Sequence, residues 1–233
     1  MKVGIIGAMD IEVAKLQQQM ESSIEKRISG VTYVCGKIHG MEVVVAQAGV
    51  GKVNAAVCCQ TMILVFRPEV IINVGIAGAI DPELKPCDIV IAEKVVQHDM
   101  DTTQFGDPPG FITGIGCVEI PCSAWVIKQL AKAAPSCKYG VVATGDQFIS
   151  ERSQRAGIGS KFGAIAVEME GGSIGQVCRM NQVDFGVLRS ISDGAEDEAL
   201  LSYPEFRLLA AEQSSQIVLH FLKQLKEIKD EKN

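Results

Sequence analysis

Short apolar runs recur along the chain, separated by stretches of helical period and by glycine turns. Residues 3–7 read as a first strand, and Asp10 is placed to cap a helix carrying Ile11, Ala14 and Leu16. Residues 31–38 and 41–48 read as strands joined at His39-Gly40, a hairpin signal. Gly49-Val50-Gly51 turns the chain into a helix over 52–66, which stops before Pro68 because the residue ahead of a proline avoids the helical region. Residues 70–74, rich in β-branched side chains, predict a buried strand ending in a second glycine turn, Gly75-Ile76-Ala77-Gly78. Further strands are predicted over 88–96, 138–143, 164–167 and 185–191. Helices are predicted over 123–134, after residue 170 to about Met180, and from Tyr203 onward. The last has an apolar stripe of Phe206, Leu209, Ala210, Ile217, Phe221, Leu225 and Ile228. Residues 99–121, with Asp107-Pro108-Pro109-Gly110, read as a long loop of the kind that closes or contacts a site.

Strands alternating with helices imply an α/β fold with a largely parallel sheet covered on both faces. No shift of composition marks a linker, so one domain over 1–233 is expected. Ligands of such sheets bind beyond the carboxyl ends of the strands. Those ends carry Gly7-Ala8, Gly75 to Gly78, Thr144 to Phe148, Glu168 to Glu170 and Ser190 to Asp193.

Composition narrows the classes. The 233 residues are 47% hydrophobic, enough for a large core, with 23 glycines for tight turns. A net charge of −6 without a basic cluster argues against nucleic acid as a partner. No run has the length of a membrane span, and the N-terminus reads as a strand rather than an export signal, so a cytoplasmic setting is expected. Eight cysteines form no CxxC pair and are accompanied by three histidines. They read as small buried hydrophobes in a reducing compartment, not as disulfides or a zinc site.

The candidate chemistry lies in acids at strand ends. Ala166-Val167-Glu168-Met169-Glu170 drives an apolar strand into two carboxylates, which are costly to bury without partners. Asp193 follows an apolar strand and has Arg189 and Ser192 near it in sequence; a salt bridge, a cap and a ligand contact all remain open. Glu12 by itself reads as a solvated helix residue, and Asp146 as a cap or turn residue. Gly4-Ile5-Ile6-Gly7 fails the GxGxxG spacing of a dinucleotide site, and Gly51-Lys52-Val53 lacks the hydroxyl of a phosphate-binding loop. His98, Asp99 and Asp101 include a single histidine and read as a loop, not a metal site.

Taken together, the motifs are far more specific. Gly4-Ile5-Ile6-Gly7-Ala8-Met9 with Glu12, Gly49-Val50-Gly51-Lys52-Val53-Asn54, Asn73-Val74-Gly75-Ile76-Ala77-Gly78, Thr144-Gly145-Asp146-Gln147-Phe148-Ile149, Ala166-Val167-Glu168-Met169-Glu170 and Arg189-Ser190-Ile191-Ser192-Asp193 follow one another in this order. The chain thereby resembles the 5′-methylthioadenosine/S-adenosylhomocysteine nucleosidases of the nucleoside phosphorylase superfamily, along essentially its whole length. The resemblance implies a single-domain three-layer sandwich with a central mixed, mostly parallel twisted sheet. It also implies a homodimer, no cofactor and no metal, and the release of adenine from 5′-methylthioadenosine, S-adenosylhomocysteine and 5′-deoxyadenosine in methionine salvage.

By that resemblance Asp193 is the acid at adenine N7 and Glu12 activates water. Glu170 holds the ribose hydroxyls, with Met169 beside the sugar and Glu168 in support. Arg189 and Ser192 support the water and acid network. Phe148 stacks on adenine and Ile149 meets its edge, while Ala8, Ile76, Ala77 and Gly78 line the site. Val50, Phe105 and Tyr203 line the 5′-substituent pocket, which a partner loop with Pro109 closes.

Ile76 departs from the serine common in the family, so the side chain either faces the core or replaces a polar contact. Tyr203 stands where phenylalanine is common. Ala8-Met9-Asp10-Ile11-Glu12 offers acids where phosphorylases of the superfamily carry basic residues, which favours water over phosphate. The alternatives are a purine-nucleoside or uridine phosphorylase, an aminodeoxyfutalosine hydrolase and a catalytically silent nucleoside-binding protein.

Overall fold

The computed structural model describes residues 1–194 and 199–231, the stretch 199–205 by its backbone alone. Ten strands form one mixed sheet: β1 (Lys2–Gly7), β2 (Glu21–Ile28), β3 (Val31–Ile38), β4 (Met41–Gln47), β5 (Val70–Ala79), β6 (Ile89–Gln97), β7 (Ile120–Pro121), β8 (Lys138–Thr144), β9 (Ala164–Glu168) and β10 (Asp184–Asp193). Among the described residues six helices accompany them: α1 (Asp10–Gln18), α2 (Lys52–Phe66), α3 (Ala124–Ala133), α4 (Arg152–Phe162), α5 (Gly171–Asn181) and α6 (Ala199–Glu231). Parallel ladders join β4 to β1, β1 to β5, β5 to β10, β6 to β8 and β8 to β9. Antiparallel ladders add β2 and β3 at one edge and connect β10 to β6 and β5 to β9. Strands β5, β10, β6, β8 and β9 thus close a ring, and the open part of the sheet extends from β5 through β1.

The two faces of the sheet hold separate cores. Cys58, Cys59, Met62 and Phe66 of α2 and Ile174 and Cys178 of α5 pack on one face. Val13 and Leu16 of α1, Val126 and Leu130 of α3, and Val218, Phe221, Leu222 and Leu225 of α6 pack on the other. This gives the three layers, and each large side chain buried contributes roughly 1.5–3 kcal/mol.

Four features differ from the pattern reading. Strand β5 does not turn at Gly75 but runs through Gly78 to Ala79, pairing Gly75 with Arg189 of β10 and Gly78 with Val167 of β9. Its glycines mark close approach rather than reversal: a Cβ on Gly75 would lie 2.6 Å from Glu12 Oε1. Asp10 is the first helical residue and not the cap, because Met9 occupies the cap position. Helix α6 starts before Tyr203, and Leu209 of the expected stripe is exposed. The buried face keeps Ala210, Ile217, Phe221 and Leu225 of that stripe and adds Ala211, Ser214 and Ser215, small residues that let the helix lie close to the sheet. Strand β2 and helix α4 carry no periodic apolar signal: β2 is an exposed edge strand, and Arg155 is the only fully buried residue of α4. Among the described residues no helix is long and apolar enough to cross a membrane.

Candidate active site

The separated acids converge. Glu12, Glu168, Glu170 and Asp193 all line one cavity of about 560 Å³, counting its open mouth. Ala8, Met9, Val50, Ile76, Ala77, Gly78, Phe148, Ile149, Met169 and Ser192 complete most of its wall. Its size is in the range of small-ligand sites.

Glu12 is buried, so the solvated-surface reading fails. Its Oε2 accepts the Ala8 and Met9 N–H groups at 2.7 and 2.9 Å, closing the end of β1 against α1, and its Oε1 accepts the Ile76 N–H at 3.1 Å. Burial pushes the carboxyl above the usual carboxylate range, against the opposing pull of these N–H groups and of Arg189. Ser215 of α6 donates to the Glu12 carbonyl at 3.1 Å, and Ser214 to the Gly75 carbonyl at 3.2 Å. Ile76 touches Glu12 through its backbone, while its side chain packs with Ala210, Ala211, Met9 and Ile11 and forms cavity wall.

At the end of β9, Glu168 is held on every side. Thr144 Oγ1 donates to its Oε1, and the N–H groups of Glu170 and Gly171 and Arg189 Nη2 donate to its Oε2. Arg189 also bonds Asn73 and lies beneath the cavity without lining it. Burial works against its charge, but Glu168, Glu170 and Glu12 outweigh burial and strengthen its hold on the proton. Glu170 behaves differently. Its Oε1 accepts the Gly51 N–H at 2.8 Å, and no donor among the described residues reaches Oε2. Burial and then the neighbouring Glu168 charge push its pKa up to about 8.

That shift has a measurable sign. Glu170 ionises at 4.5 when unfolded and at about 8 when folded, so its contribution to stability is complete below the lower value and is lost as pH rises through the upper one. Glu12 shifts in the same direction. Thermal denaturation of ligand-free protein between these pH values is expected to show stability falling with rising pH. Glu170→Gln should remove up to about 1.4 kcal/mol per pH unit from that slope. An unchanged slope in the variant would refute the assignment.

At the end of β10, both oxygens of Asp193 are engaged. Ser192 Oγ lies 2.6 Å from Oδ1, and Arg155 Nη2 forms an ion pair with Oδ2. Ser192 Oγ also lies 3.3 Å from the Ala77 carbonyl. Its single hydrogen can therefore turn to the carbonyl when Oδ1 carries a proton, and back when it does not. Arg155 and Gln147 also line the cavity; pattern reading missed them, because an isolated Arg in a polar, glycine-containing segment looks solvated.

The start of α2 is neutralised internally: Gly51 N–H goes to Glu170, and Lys52 N–H to Asp146 Oδ1 at 2.7 Å. Lys52 Nζ pairs with Asp99 at 2.7 Å, and Asp99 accepts the Asp146 N–H. Asp146 thus caps α2 from another loop, and Asp99 and Lys52 brace it.

Two expected site residues, Phe105 and Pro109, are not brought to the cavity. Phe105 is 87% exposed on a short 3-10 turn, Thr103–Phe105. Pro109 lines a separate surface depression with Val96, Val118 and Phe162. Both belong to the 99–121 segment, none of whose residues lines the cavity. The assignment of Tyr203 falls on a side chain outside the described residues.

Fold and cavity together define an α/β protein whose strand ends bring four carboxylates into one cavity, and comparison places it. The phosphorylase superfamily matches residues 2–223, and the chain belongs to that superfamily. Within it, the chain belongs to the family of 5′-methylthioadenosine/S-adenosylhomocysteine nucleosidases. The nucleosidase of Marinomonas sp. is 38% identical over 228 residues, covering 95% of this chain and 98% of the relative. The Neisseria meningitidis nucleosidase, solved in complex with methylthio-immucillin-A, superposes with a TM-score of 0.92 at 31% identity, over 96% of this chain and 99% of that one. Futalosine hydrolase of Helicobacter pylori superposes with a TM-score of 0.91 at 34% identity, over 96% and 97%.

Proposed function

We propose that this chain hydrolyses the N-glycosidic bond of 5′-methylthioadenosine and S-adenosylhomocysteine, and of 5′-deoxyadenosine, releasing adenine. The observation that carries the reading is that acids line the cavity and its buried cations are already paired. Four carboxylates meet there, and the two buried cations, Arg155 and Arg189, are already committed to Asp193 and Glu168. At the start of α2, the Gly51 and Lys52 N–H groups are already taken by Glu170 and Asp146. A phosphate dianion would find no free cation among these groups, whereas water enters without penalty.

The chemistry suits the arrangement. Cleavage develops positive charge on the ribose and negative charge on the base. Asp193 protonates or hydrogen-bonds N7, which makes adenine a better leaving group. Glu12, with its raised proton affinity, takes a proton from the attacking water. Glu170 offers its free oxygen to the ribose hydroxyls, and the acids together stabilise the cationic sugar. Phe148, half exposed at the rim, presents a ring face to the base. The Ile149 peptide, fixed by Arg155 Nε at 3.0 Å, meets its edge.

The proposal includes a homodimer in the cytoplasm, where eight thiols stay reduced. Val53, Val57 and Leu64 form an exposed apolar face of α2, and Phe105 is exposed as well. By the family resemblance, a second copy would bring its Phe105 and Pro109 to the cavity of its partner.

The test is adenine release from 5′-methylthioadenosine without phosphate, with S-adenosylhomocysteine, aminodeoxyfutalosine and inosine assayed in parallel. Release that requires phosphate would overturn the hydrolytic reading in favour of phosphorolysis. The likeness to a futalosine hydrolase supports one second reading; it wins if aminodeoxyfutalosine is the much better substrate.

A further inference from the structure

Arg155 is a large charged side chain only 2% exposed, on a helix whose remaining residues are exposed or half buried. Burying a guanidinium is expensive unless a carboxylate and good acceptors meet it. Here they do. Nε donates to the Ile149 carbonyl at 3.0 Å, and Nη1 to the carbonyls of Ala79 at 2.9 Å and Gly194 at 2.5 Å. Nη2 pairs with Asp193 Oδ2. One side chain therefore joins the end of β5, the end of β10 and the Phe148-Ile149 segment. No other charge partner of Arg155 is found among the described residues.

The planar fork dictates the orientation of Asp193. Arg155 has donors and no acceptor, so the oxygen it binds disfavours a proton. Oδ1 is left to carry it, and Ser192 can either donate to that oxygen or accept from it. Gly78 shows how tightly the pair is enclosed: a Cβ there would lie 3.0 Å from both Arg155 Nη2 and Asp193 Oδ2.

We propose that Arg155 is a positioning residue for the reaction. It fixes Asp193 through Oδ2, so that Oδ1 is the oxygen that handles the proton, and it ties this carboxylate to the peptide that meets the base. The assignment rests on the reading of Asp193 as the acid at N7. It explains why α4, which buries little else, is docked through a cation.

The experiment measures kcat and KM for adenine release by Arg155→Met, Arg155→Lys, Asp193→Asn and the Arg155→Met/Asp193→Asn double variant. Active sites are counted by calorimetric titration with adenine. Misplacing a reacting group by about 1 Å lowers turnover about 100-fold. Arg155→Met is expected to lose kcat to about that extent, with a much smaller change in KM. Arg155→Lys, which keeps the charge but not the fork, should fall between Arg155→Met and the unaltered protein. In the Asp193→Asn background the Met substitution should add little, because Arg155 acts through Asp193.

Unaltered kcat in Arg155→Met, with Asp193→Asn inactive, overturns the role of Arg155 and leaves the acid assignment standing. Near-normal turnover in Asp193→Asn overturns the acid assignment itself, and the Arg155 role with it. Fully additive losses in the double variant overturn the coupling. Should Arg155→Met fail to fold, Arg155→Lys decides alone, and unaltered kcat there overturns the proposal.

Discussion

Asp193→Asn is expected to lower kcat for adenine release by about 10²–10⁴-fold, the range supplied by a positioned acid. The replacement is nearly isosteric, and Ser192 can still bond the amide. It removes, however, the ion-pair partner of a fully buried Arg155. Breaking a buried pair by deleting one member costs about 3–5 kcal/mol, so the melting temperature should fall as well. Turnover must therefore be expressed per folded active site, with adenine binding as the count. A variant that is less stable, still binds adenine and scarcely turns over fits the assignment. A variant that is less stable but turns over at the normal rate per site sinks it, because the carboxylate would then be a structural anchor only.

Glu12→Gln is expected to have a loss in the same range, about 10²–10⁴-fold, for a different reason. Glu12 is the acid with three backbone N–H partners and a raised proton affinity. An amide has one acceptor oxygen for donors that now meet two carboxylate oxygens. Either the pair at Ala8 and Met9 or the bond from Ile76 is lost, and an NH2 group points at a donor. Base strength disappears at the same time. Glu12→Gln should thus show low kcat with adenine affinity largely kept, since Glu12 lies at the end of β1 and not on the Phe148-Ile149 segment. Turnover close to that of the unaltered protein would exclude Glu12 as the group that activates water.

How far the molecule could be read in advance depended on how local each feature is. The cores of β1, β3, β4, β5 and β10 and the helix α2 announce themselves, because burial on a periodic lattice writes apolar residues at the matching spacing. Strand β2 does not, since an exposed edge needs only its ladder to β3. Helix α4 does not either, since its buried residue is an arginine. The glycines of Gly75-Ile76-Ala77-Gly78 were visible, but their meaning was not: room for Glu12, Arg155 and Asp193 looks in sequence like a turn. Ile76 likewise needed α6 before its side chain had a place to go.

The alternation of strands and helices determined the α/β class, and the order and spacing of the acid-bearing motifs determined the family and singled out Glu12, Glu170 and Asp193, which share one cavity. Those are properties of short segments at strand ends, where local pattern and chemistry coincide. The hydrogen-bond and ion-pair partners of each acid were decided by tertiary structure alone. Glu168 and Glu170 stand two residues apart, yet one is consumed by Arg189, Thr144 and two N–H groups while the other has one oxygen that no donor among the described residues reaches. Asp193 meets its ion-pair partner, Arg155, on helix α4. A carboxylate's role follows from its desolvation and its partners, and those partners come from segments far away in the chain.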